Sequence, residues 1–457
     1  MTRSVLIALI LACSAANGFG AEVDVRDRVG TAADQAAANA QRAVQALDAS
    51  LEASGTPLVV TLESAAELAR QNADAVLAAE AAAAALRAAG RAELSIIFPQ
   101  LTADAGYTYN GKLPNRTLEG VRVSAGTEDE YRVGARIEQL VWSFGRIGAA
   151  RSADRASSVL ASSDLLLAQR EASFRARSAV ANVLLTQARL WVAQERVTQR
   201  ESELADAQDK EAVGRVSKLD VNEAEINLLQ DRNSQRSAAL AVQQSTHELI
   251  TALALENRSV TVSGELQRPQ DMALLIAAAR ENIAFGPEVR SLQAQAELRA
   301  SERAKFRGNA LPEFSVFGDW YANGERTNDL DDGWGVGLNV RWNLYDGGGS
   351  YAQMDRAARE RVRLLRLADE QSRARLQLFD DVAAQLRSLS ERITAADTIV
   401  TLSESNYEDA RDRYRLGDID RVRMGEANLR ITLARLTLID LIFEEAVAAF
   451  QLQRLAE

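Results

Sequence analysis

The stretch Trp334-Gly335-Val336-Gly337-Leu338-Asn339-Val340-Arg341-Trp342-Asn343 alternates between two kinds of residue over its whole length. Large apolar side chains take every second position, and the positions between them hold glycine, asparagine or arginine. Successive side chains of a β-strand point to opposite faces, so this period predicts a strand with one apolar and one polar face. A strand of about ten residues crosses a bilayer when it is tilted, and tryptophan near its ends is typical of the membrane interface.

Three further stretches alternate in the same way and show that the chain is duplicated. Residues 314–321 precede the first stretch, and residues 101–109 and 131–138 form a similar pair earlier in the chain. Each pair predicts one β-hairpin, and the two hairpins begin with Phe98-Pro99-Gln100-Leu101 and Leu311-Pro312-Glu313-Phe314. The tryptophan follows the proline by 43 positions in the first copy and by 30 in the second, so the first hairpin carries an insertion.

A long helical hairpin is predicted after each β-hairpin. Between Gly349 and Tyr414 the chain has no proline or glycine, and apolar or small residues recur at spacings of three and four. This heptad pattern predicts one helix of about 65 residues, roughly 100 Å long at 1.5 Å per residue. A second helix with the same spacing follows after a short turn. The first copy repeats this plan over 146–209 and 218–257, and from Asp206 onward the copies align at an offset of 203.

These patterns divide the chain into four parts. A helix is expected before each β-hairpin, over 61–95 and 268–307, and proline marks each change from helix to strand. The expected parts are a signal peptide (1–20), an N-terminal periplasmic extension (21–57), a first repeat (58–257, with β-hairpin 100–143 and helical hairpin 145–257) and a second repeat (268–457, with β-hairpin 312–344 and helical hairpin 347–456).

The amino terminus has the order of a secretory signal: a positive charge at Arg3, an apolar run from Val5 to Ala12, and small residues up to Gly20. Cleavage after Gly20 would place small residues at the positions that signal peptidase requires. A second interpretation is a lipoprotein signal, because Cys13, the one cysteine of the chain, ends the apolar run. The short lead before Cys13 argues against lipidation, and both interpretations stay open.

Composition excludes several classes of function. The formal net charge is −11, and an acidic chain without clustered Lys and Arg is a poor nucleic-acid binder. With one histidine, His247, and one cysteine, the chain offers no nucleophile–base pair and no His/Cys metal site. We therefore expect no enzyme, no cofactor and no metal, and no partner among nucleic acids.

The duplicated order of β-hairpin, long helix, tight turn and long helix resembles the TolC-like outer membrane factor family over about residues 58–455. The motifs that carry the resemblance are Leu311-Pro312-Glu313-Phe314, Trp342-Asn343-Leu344-Tyr345-Asp346-Gly347-Gly348, and the turns at Gly214 and Gly417. The resemblance implies a mainly α protein with a transmembrane β-barrel. In such a protein, three copies form a 12-stranded barrel in outer-membrane lipid of a Gram-negative-type bacterium, continued by a periplasmic α-helical tunnel.

The resemblance also implies partners and site residues. A periplasmic adaptor and an inner-membrane transporter would dock below the homotrimer, and the helix tips would meet the adaptor through Val213, Gly214, Leu416 and Gly417. The periplasmic aperture would involve Tyr414, which matches a family tyrosine that ties the closed state, together with Asp418, Asp420, Arg423 and Glu426. Glu426 falls where the family has an aperture aspartate. Arg423 stands where another aspartate is common, which weakens the expectation of a cation-selective carboxylate ring.

Two functions follow from these expectations. The first is a passive export conduit of a tripartite efflux or type I secretion system. The alternative is a soluble periplasmic coiled-coil adaptor or scaffold. The strands discriminate between them, because an adaptor does not need ten-residue strands with an apolar face and aromatic ends.

Overall fold

The computed structural model describes residues 58–111, 115–118, 121–124, 128–255, 258–266, 276–277, 280, 283–327, 329–419 and 421–456. The expected signal peptide, the N-terminal extension, Cys13 and Asp420 lie outside these residues. Residues from Val59 onward form one compact unit, and the fold described below is that of this unit.

The first repeat begins with a short strand, β1 (Leu58–Val60), and two helices, α1 (Leu62–Asn72) and α2 (Asp74–Leu94). A capping box between Thr61 and Ser64 starts α1, because each side chain accepts a backbone N–H that the helix leaves unpaired. The single helix expected over 61–95 is thus divided at Ala73, whose extended backbone ends α1 and starts α2.

The strands form an antiparallel sheet of four, in the order β2 (Gln100–Tyr109), β5 (Asp129–Trp142), β7 (Glu313–Arg326) and β8 (Asp329–Arg341). The two predicted β-hairpins therefore lie side by side in one sheet. The insertion in the first hairpin contains a second, two-stranded pair, β3 (Asn115–Leu118) and β4 (Val121–Ser124). A third pair joins β1 to β6 (Val260–Val262).

Four long helices complete the two repeats. In the first copy α3 (Arg146–Ala212) is followed by α4 (Lys218–Ala252), and in the second copy α6 (Gly349–Leu416) is followed by α7 (Arg421–Ala456). With 67 and 68 residues, α3 and α6 are each about 100 Å long. The duplicated arrangement predicted from the sequence is confirmed.

Each strand-to-helix joint uses two successive residues with positive φ. They are Phe144 (43°) and Gly145 (106°) before α3, and Gly347 (70°) and Gly348 (85°) before α6. These positions correspond at the same offset of 203. Glycine adopts this conformation freely, whereas Phe144 is an uncommon residue for it.

Two helix boundaries differ from the sequence prediction. In the segment expected to be helical over 268–307, residues 276, 277 and 280 are helical, and residues 268–275 lie outside the described part of the chain. A 3-10 turn at Ile283–Phe285 then interrupts the helix, and α5 (Pro287–Asn309) begins with Pro287 in its first turn. Helix α4 ends at Ala252 and not at 257, because Ala254 has a φ of +52° that does not continue a helix.

The helices pack in a row in which α3 lies between α4 and α7, and α7 contacts α6. Helices α2 and α5 both pack on α3, and α5 also packs on α6. The main core joins the middle of α6 to the C-terminal half of α7, through Phe379, Val382, Leu386, Leu389, Ile393, Leu441 and Leu452.

The heptad pattern of α6 is buried only in part. Its positions are buried from Phe379 to Ala396, but Val400, Ser403, Tyr407, Ala410 and Tyr414 continue the same phase and are half-buried. The last four turns of α6 are therefore packed less closely than its middle. Within the described residues, the helices include none that is both long and apolar enough to span a membrane.

Candidate functional site: helix tips, groove and sheet

The first helix tip is a tight turn with a glycine at its centre. Gly214 has a φ of +73°, and its N–H donates to the Glu211 carbonyl at 2.8 Å. The Arg215 N–H donates to the Lys210 carbonyl at 2.8 Å, which closes the end of α3. A capping box between Ser217 and Asp220 then starts α4, so the five residues 213–217 reverse the chain direction.

The second tip repeats this design. Gly417 has a φ of +85°, its N–H donates to the Tyr414 carbonyl at 3.2 Å, and the Asp418 N–H donates to the Arg413 carbonyl at 2.9 Å. Both predicted Gly-turns therefore need the left-handed backbone that glycine adopts without strain.

Both tips expose apolar side chains to solvent. Val213 is 69% exposed and Leu416 is 79% exposed, and they correspond between the copies. Leu219 and Val422, the corresponding residues on the far side of each turn, are also exposed. Each tip thus carries an aliphatic pair that the described part of the chain leaves largely exposed. The four residues predicted to contact an adaptor lie at or beside these two pairs.

The residues predicted for the aperture lie around the second tip. Tyr414 is half-buried, and the Lys210 ammonium lies 4.1 Å from the centre of its ring. This cation–π contact joins the two tips of one chain. Asp418, Arg423 and Glu426 are exposed. The structure therefore places Tyr414 between the two tips and leaves the charged residues at the surface.

A polar groove of about 540 Å³ lies above the tips between α3, α6 and α7. Tyr407 and Tyr414 of α6 line it, together with charged residues of all three helices. Burial raises the pKa of Tyr407 above its usual range, and the nearby Glu203 carboxylate adds to the effect. The carboxylates in its lining are Glu195, Glu203, Asp206, Glu404 and Glu408, and the guanidinium groups are those of Arg196, Arg411, Arg415 and Arg435.

A buried charge network beside this groove was missed in the sequence. Asp231 of α4 is 4% exposed and forms ion pairs with Arg196 and with Arg200, the latter at 3.1 Å. Arg200 also pairs with Glu203 at 2.6 Å, and Asn428 of α7 donates to Glu203 at 3.4 Å. Burial lowers the pKa of Arg200, but the two carboxylates outweigh burial and hold the pKa above its ordinary value.

This network connects α4, α3 and α7, and so it links the two helical hairpins. A signal for it exists in the sequence, because Asp231 continues the buried positions Ala224 and Leu228 of α4 at helical spacing. A carboxylate on an apolar helix face is stable only when it is paired.

The sheet has one apolar and one polar face, as its alternation predicts. On β8 the side chains of Trp334, Val336, Leu338 and Val340 are all more than half exposed, and nothing described in the chain covers them. Strands β2 and β8 are the two edges of the sheet, and each leaves one row of backbone groups unpaired. An exposed apolar face with two open edges is incomplete as an isolated chain.

The fold and the sites together define a class: a duplicated protein in which long helical hairpins with exposed tips extend from an apolar-faced sheet. Residues 65–255 match the model of the family described as "Outer membrane efflux protein". No curated protein sequence matches the chain.

Solved structures resemble almost the whole described chain. A membrane protein from Pseudomonas aeruginosa has a TM-score of 0.74 at 19% identity, with 86% of this chain and 90% of that chain covered. The Campylobacter jejuni CmeC outer membrane channel has a TM-score of 0.69 at 14% identity, with 86% and 85% covered. The Vibrio cholerae outer membrane protein VceC has a TM-score of 0.70 at 16% identity, with 86% and 94% covered.

The resemblance to the TolC-like outer membrane factors is thereby confirmed. Residues 65–255 match the outer membrane efflux protein family, and the described chain as a whole has the fold of outer-membrane channels. This family is one of channel and transport proteins. The alternative of a soluble periplasmic adaptor or scaffold is not favoured.

Proposed function

We propose that the chain is the subunit of a homotrimeric outer-membrane channel, a passive conduit from the periplasm to the exterior. The observation that carries this proposal is the four-stranded sheet with an apolar face and two open edges. Three copies joined β8 to β2 would pair every edge and enclose about 12 strands, enough for a water-filled lumen. The apolar face would then meet outer-membrane lipid.

The helices support the same closure. Helix α4 stands at one end of the row of helices and α6 at the other, and the two are not in extensive contact within one chain. Both carry exposed apolar residues, namely Ile226, Leu229 and Leu240 on α4 and Val362, Ile399 and Leu402 on α6. In the proposed trimer, α4 of one copy would pack against α6 of the next, and the helices would form the periplasmic tunnel.

The aliphatic pairs at the tips support docking of a periplasmic adaptor, which would connect the channel to an inner-membrane transporter. An apolar side chain that is largely exposed at the end of a long helix gains little in isolation and much when a partner covers it. We propose Val213, Gly214, Leu416 and Gly417 as this contact. The channel itself would need no catalytic residue, since the transporter supplies the energy for efflux or for type I secretion.

We propose Tyr414, with Asp418, Asp420, Arg423 and Glu426, as the periplasmic aperture. The contact of Tyr414 with Lys210 supports this, because it holds the tip of the second hairpin against the first. Residues 1–20 would direct the chain to the envelope, with Cys13 as the site of lipidation if the signal is of the lipoprotein type. Residues 21–57 would form a periplasmic extension before the first repeat.

The test of the main proposal is single-channel recording of the purified mature protein in a planar bilayer, with the oligomer mass measured on the same sample. We expect discrete pores from a species of three chains. A water-soluble monomer without conductance would refute the proposal.

The adaptor contact has a separate test. The double substitution Val213→Asp and Leu416→Asp should weaken capture of the cognate adaptor at least tenfold, because each buried aliphatic side chain contributes about 1.5–3 kcal/mol. The control replaces both residues by isoleucine, which keeps the surface apolar. Equal capture by the aspartate variant and the control would refute the contact while the pore remains.

The aperture is tested by the double substitution Tyr414→Ala and Glu426→Ala. Removing the ring leaves Lys210 without its cation–π partner, which is a contact of about 1 kcal/mol. The open fraction of single channels should rise several-fold, because the loss of this free energy shifts the equilibrium from closed toward open channels. An unchanged open fraction would refute the aperture assignment.

A further inference from the structure

The polar face of the sheet carries an uneven set of charges. The registers of the four strands place nine charged residues on the face that holds Thr102, Ser315 and Asn339. The carboxylates are Asp104, Glu130, Glu138, Glu313, Asp319 and Asp331, and the guanidinium groups are those of Arg132, Arg136 and Arg341. In the proposed channel this face lines the lumen.

Each of the three arginines is paired with a glutamate. Arg132 lies 3.0 Å from Glu130, Arg136 lies 3.5 Å from Glu138, and Arg341 lies 3.1 Å from Glu313. A close ion pair has no net charge, so its field falls off quickly with distance. These three pairs therefore contribute little to the potential inside the lumen.

The three aspartates form no such ion pair, although Asp319 lies opposite Arg136 of β5, whose guanidinium is directed to Glu138 and lies over the Phe317 ring. Among the residues that the structure describes, none forms an ion pair with Asp104, Asp319 or Asp331, and no side chain donates a hydrogen bond to them. Asp104 is the fifth of ten residues in β2, and Asp319 is the seventh of fourteen in β7. An unpaired carboxylate midway along a strand that crosses a membrane is stable only where it faces water.

Glycine on the neighbouring strand leaves space beside both carboxylates. Asp104 is opposite Gly134, where an added Cβ would lie 3.0 Å from the carboxylate, and Asp319 is opposite Gly335, where the distance would be 3.3 Å. The two carboxylates thus lie against the sheet, over glycines that have no side chain. Phe317 lies over Gly337 and Tyr321 over Gly333 in the same manner, so these rings do not extend across the lumen.

We propose that Asp104 and Asp319 make the barrel lumen cation-selective. This inference rests on the proposed trimeric channel, in which the two residues would supply six carboxylates midway along the wall that form no ion pair with a described residue. A charged wall backed by lipid concentrates its field in the water that it encloses, so cations accumulate and anions are repelled. The selective element lies in the sheet and is separate from the aperture at the helix tips.

The test is the reversal potential of single channels under a tenfold KCl gradient. The variant Asp104→Asn with Asp319→Asn removes both charges at almost constant volume. We expect the wild type to favour K⁺ over Cl⁻, and the permeability ratio to fall about threefold in the variant. The conductance itself should persist, because no side chain is enlarged.

A matched control removes two carboxylates per chain from the opposite face. Asp129 pairs with Tyr109 and Asp332 with Ala322, both on the apolar face, so Asp129→Asn with Asp332→Asn should leave the permeability ratio unchanged. If the double variant forms no pores, the two single substitutions are measured, and each should lower the ratio.

Three outcomes would overturn the inference. They are a wild-type pore that does not favour cations, a double variant with the wild-type ratio, and a control that loses selectivity as strongly as the variant. A wild-type protein without pores would instead refute the proposed channel and remove the basis of the inference with it.

Discussion

Arg375 is a buried cation that joins three separate parts of the second repeat. Only 3% of it is exposed. Its Nε donates to the Ile283 carbonyl at 2.9 Å, one terminal nitrogen donates to the Leu455 carbonyl at 2.8 Å, and the other pairs with Glu288. Burial lowers the pKa of the guanidinium, and the Glu288 carboxylate opposes this effect. Arginine stays protonated in proteins, so this charged group fastens the end of α7 to α6 and to the start of α5.

The substitution Arg375→Met should destabilise this region by about 3 kcal/mol. Loss of one partner of a buried ion pair costs about 3–5 kcal/mol, and each hydrogen bond to a charged group contributes about 1.5–3 kcal/mol. Two effects reduce the sum. Glu288 is one-third exposed, so water can take the place of the guanidinium. Methionine also avoids the cost of burying a charge.

The assay is hydrogen exchange of backbone amides in the intact oligomer. A local loss of about 3 kcal/mol corresponds to roughly 100-fold faster exchange through local opening, at Ile283–Phe285 and in the last turn of α7. Arg373→Met is the control, because Arg373 is exposed on the same helix and, within the described residues, forms a hydrogen bond only with the Asp369 carbonyl. Equal exchange in the two variants would show that the buried ion pair does not hold the end of α7 in place.

Three further predictions concern other parts of the helices. Asp231→Asn should lower the free energy of unfolding by about 3 kcal/mol, because two guanidinium groups lose their buried carboxylate; an unchanged thermal midpoint would contradict this. Gly417→Ala should cost about 1–2 kcal/mol, because its φ is +85°, whereas Gly425→Ala inside α7 should be neutral or stabilising in the same denaturation assay. Hydrogen bonds from the Ser350 hydroxyl and N–H lower the pKa of Asp346. These bonds therefore stabilise the start of α6 above the unfolded pKa of Asp346, and their stabilisation is lost as pH falls through the lowered pKa. Ser350→Ala should raise the pKa of Asp346, and an unchanged pH dependence of local hydrogen exchange in acid would exclude the effect.

Much of the fold was predictable because its signals are local. The alternation around Trp334 and the heptad pattern from Phe379 to Ala396 each determine which face of an element is apolar, and both faces are observed as predicted. Gly214 and Gly417 identify the two turns because a left-handed residue is needed there. The helix boundaries were less predictable, since α4 stops just before Ala254, whose positive φ is not indicated by its residue type.

The functional residues were predictable only where they lie at or beside a turn that needs a glycine. The exposed tips follow from the turn positions, and the resemblance to a family of channels gave Tyr414 and its neighbours as a hypothesis. The pairing of Asp231 with Arg196 and Arg200 required the rotation of α4 against α3, which no local pattern contains. The same holds for Tyr414, whose contact with Lys210 joins residues from different repeats.

By itself the sequence determined the duplication, the type and order of the long elements, and which face of each element is apolar, because these properties repeat with the period of the backbone. Only the tertiary structure decided which charges are compensated. Arg375 bonds to Ile283 and Leu455, residues 92 and 80 positions away, and Arg341 pairs with Glu313 across a strand pair. Asp104 and Asp319 form no ion pair with a described residue, although Arg136 lies opposite Asp319 in the register. The physical reason is that an ion pair forms over a few ångströms, and such distances are set by the register of strands and the rotation of helices and not by spacing along the chain.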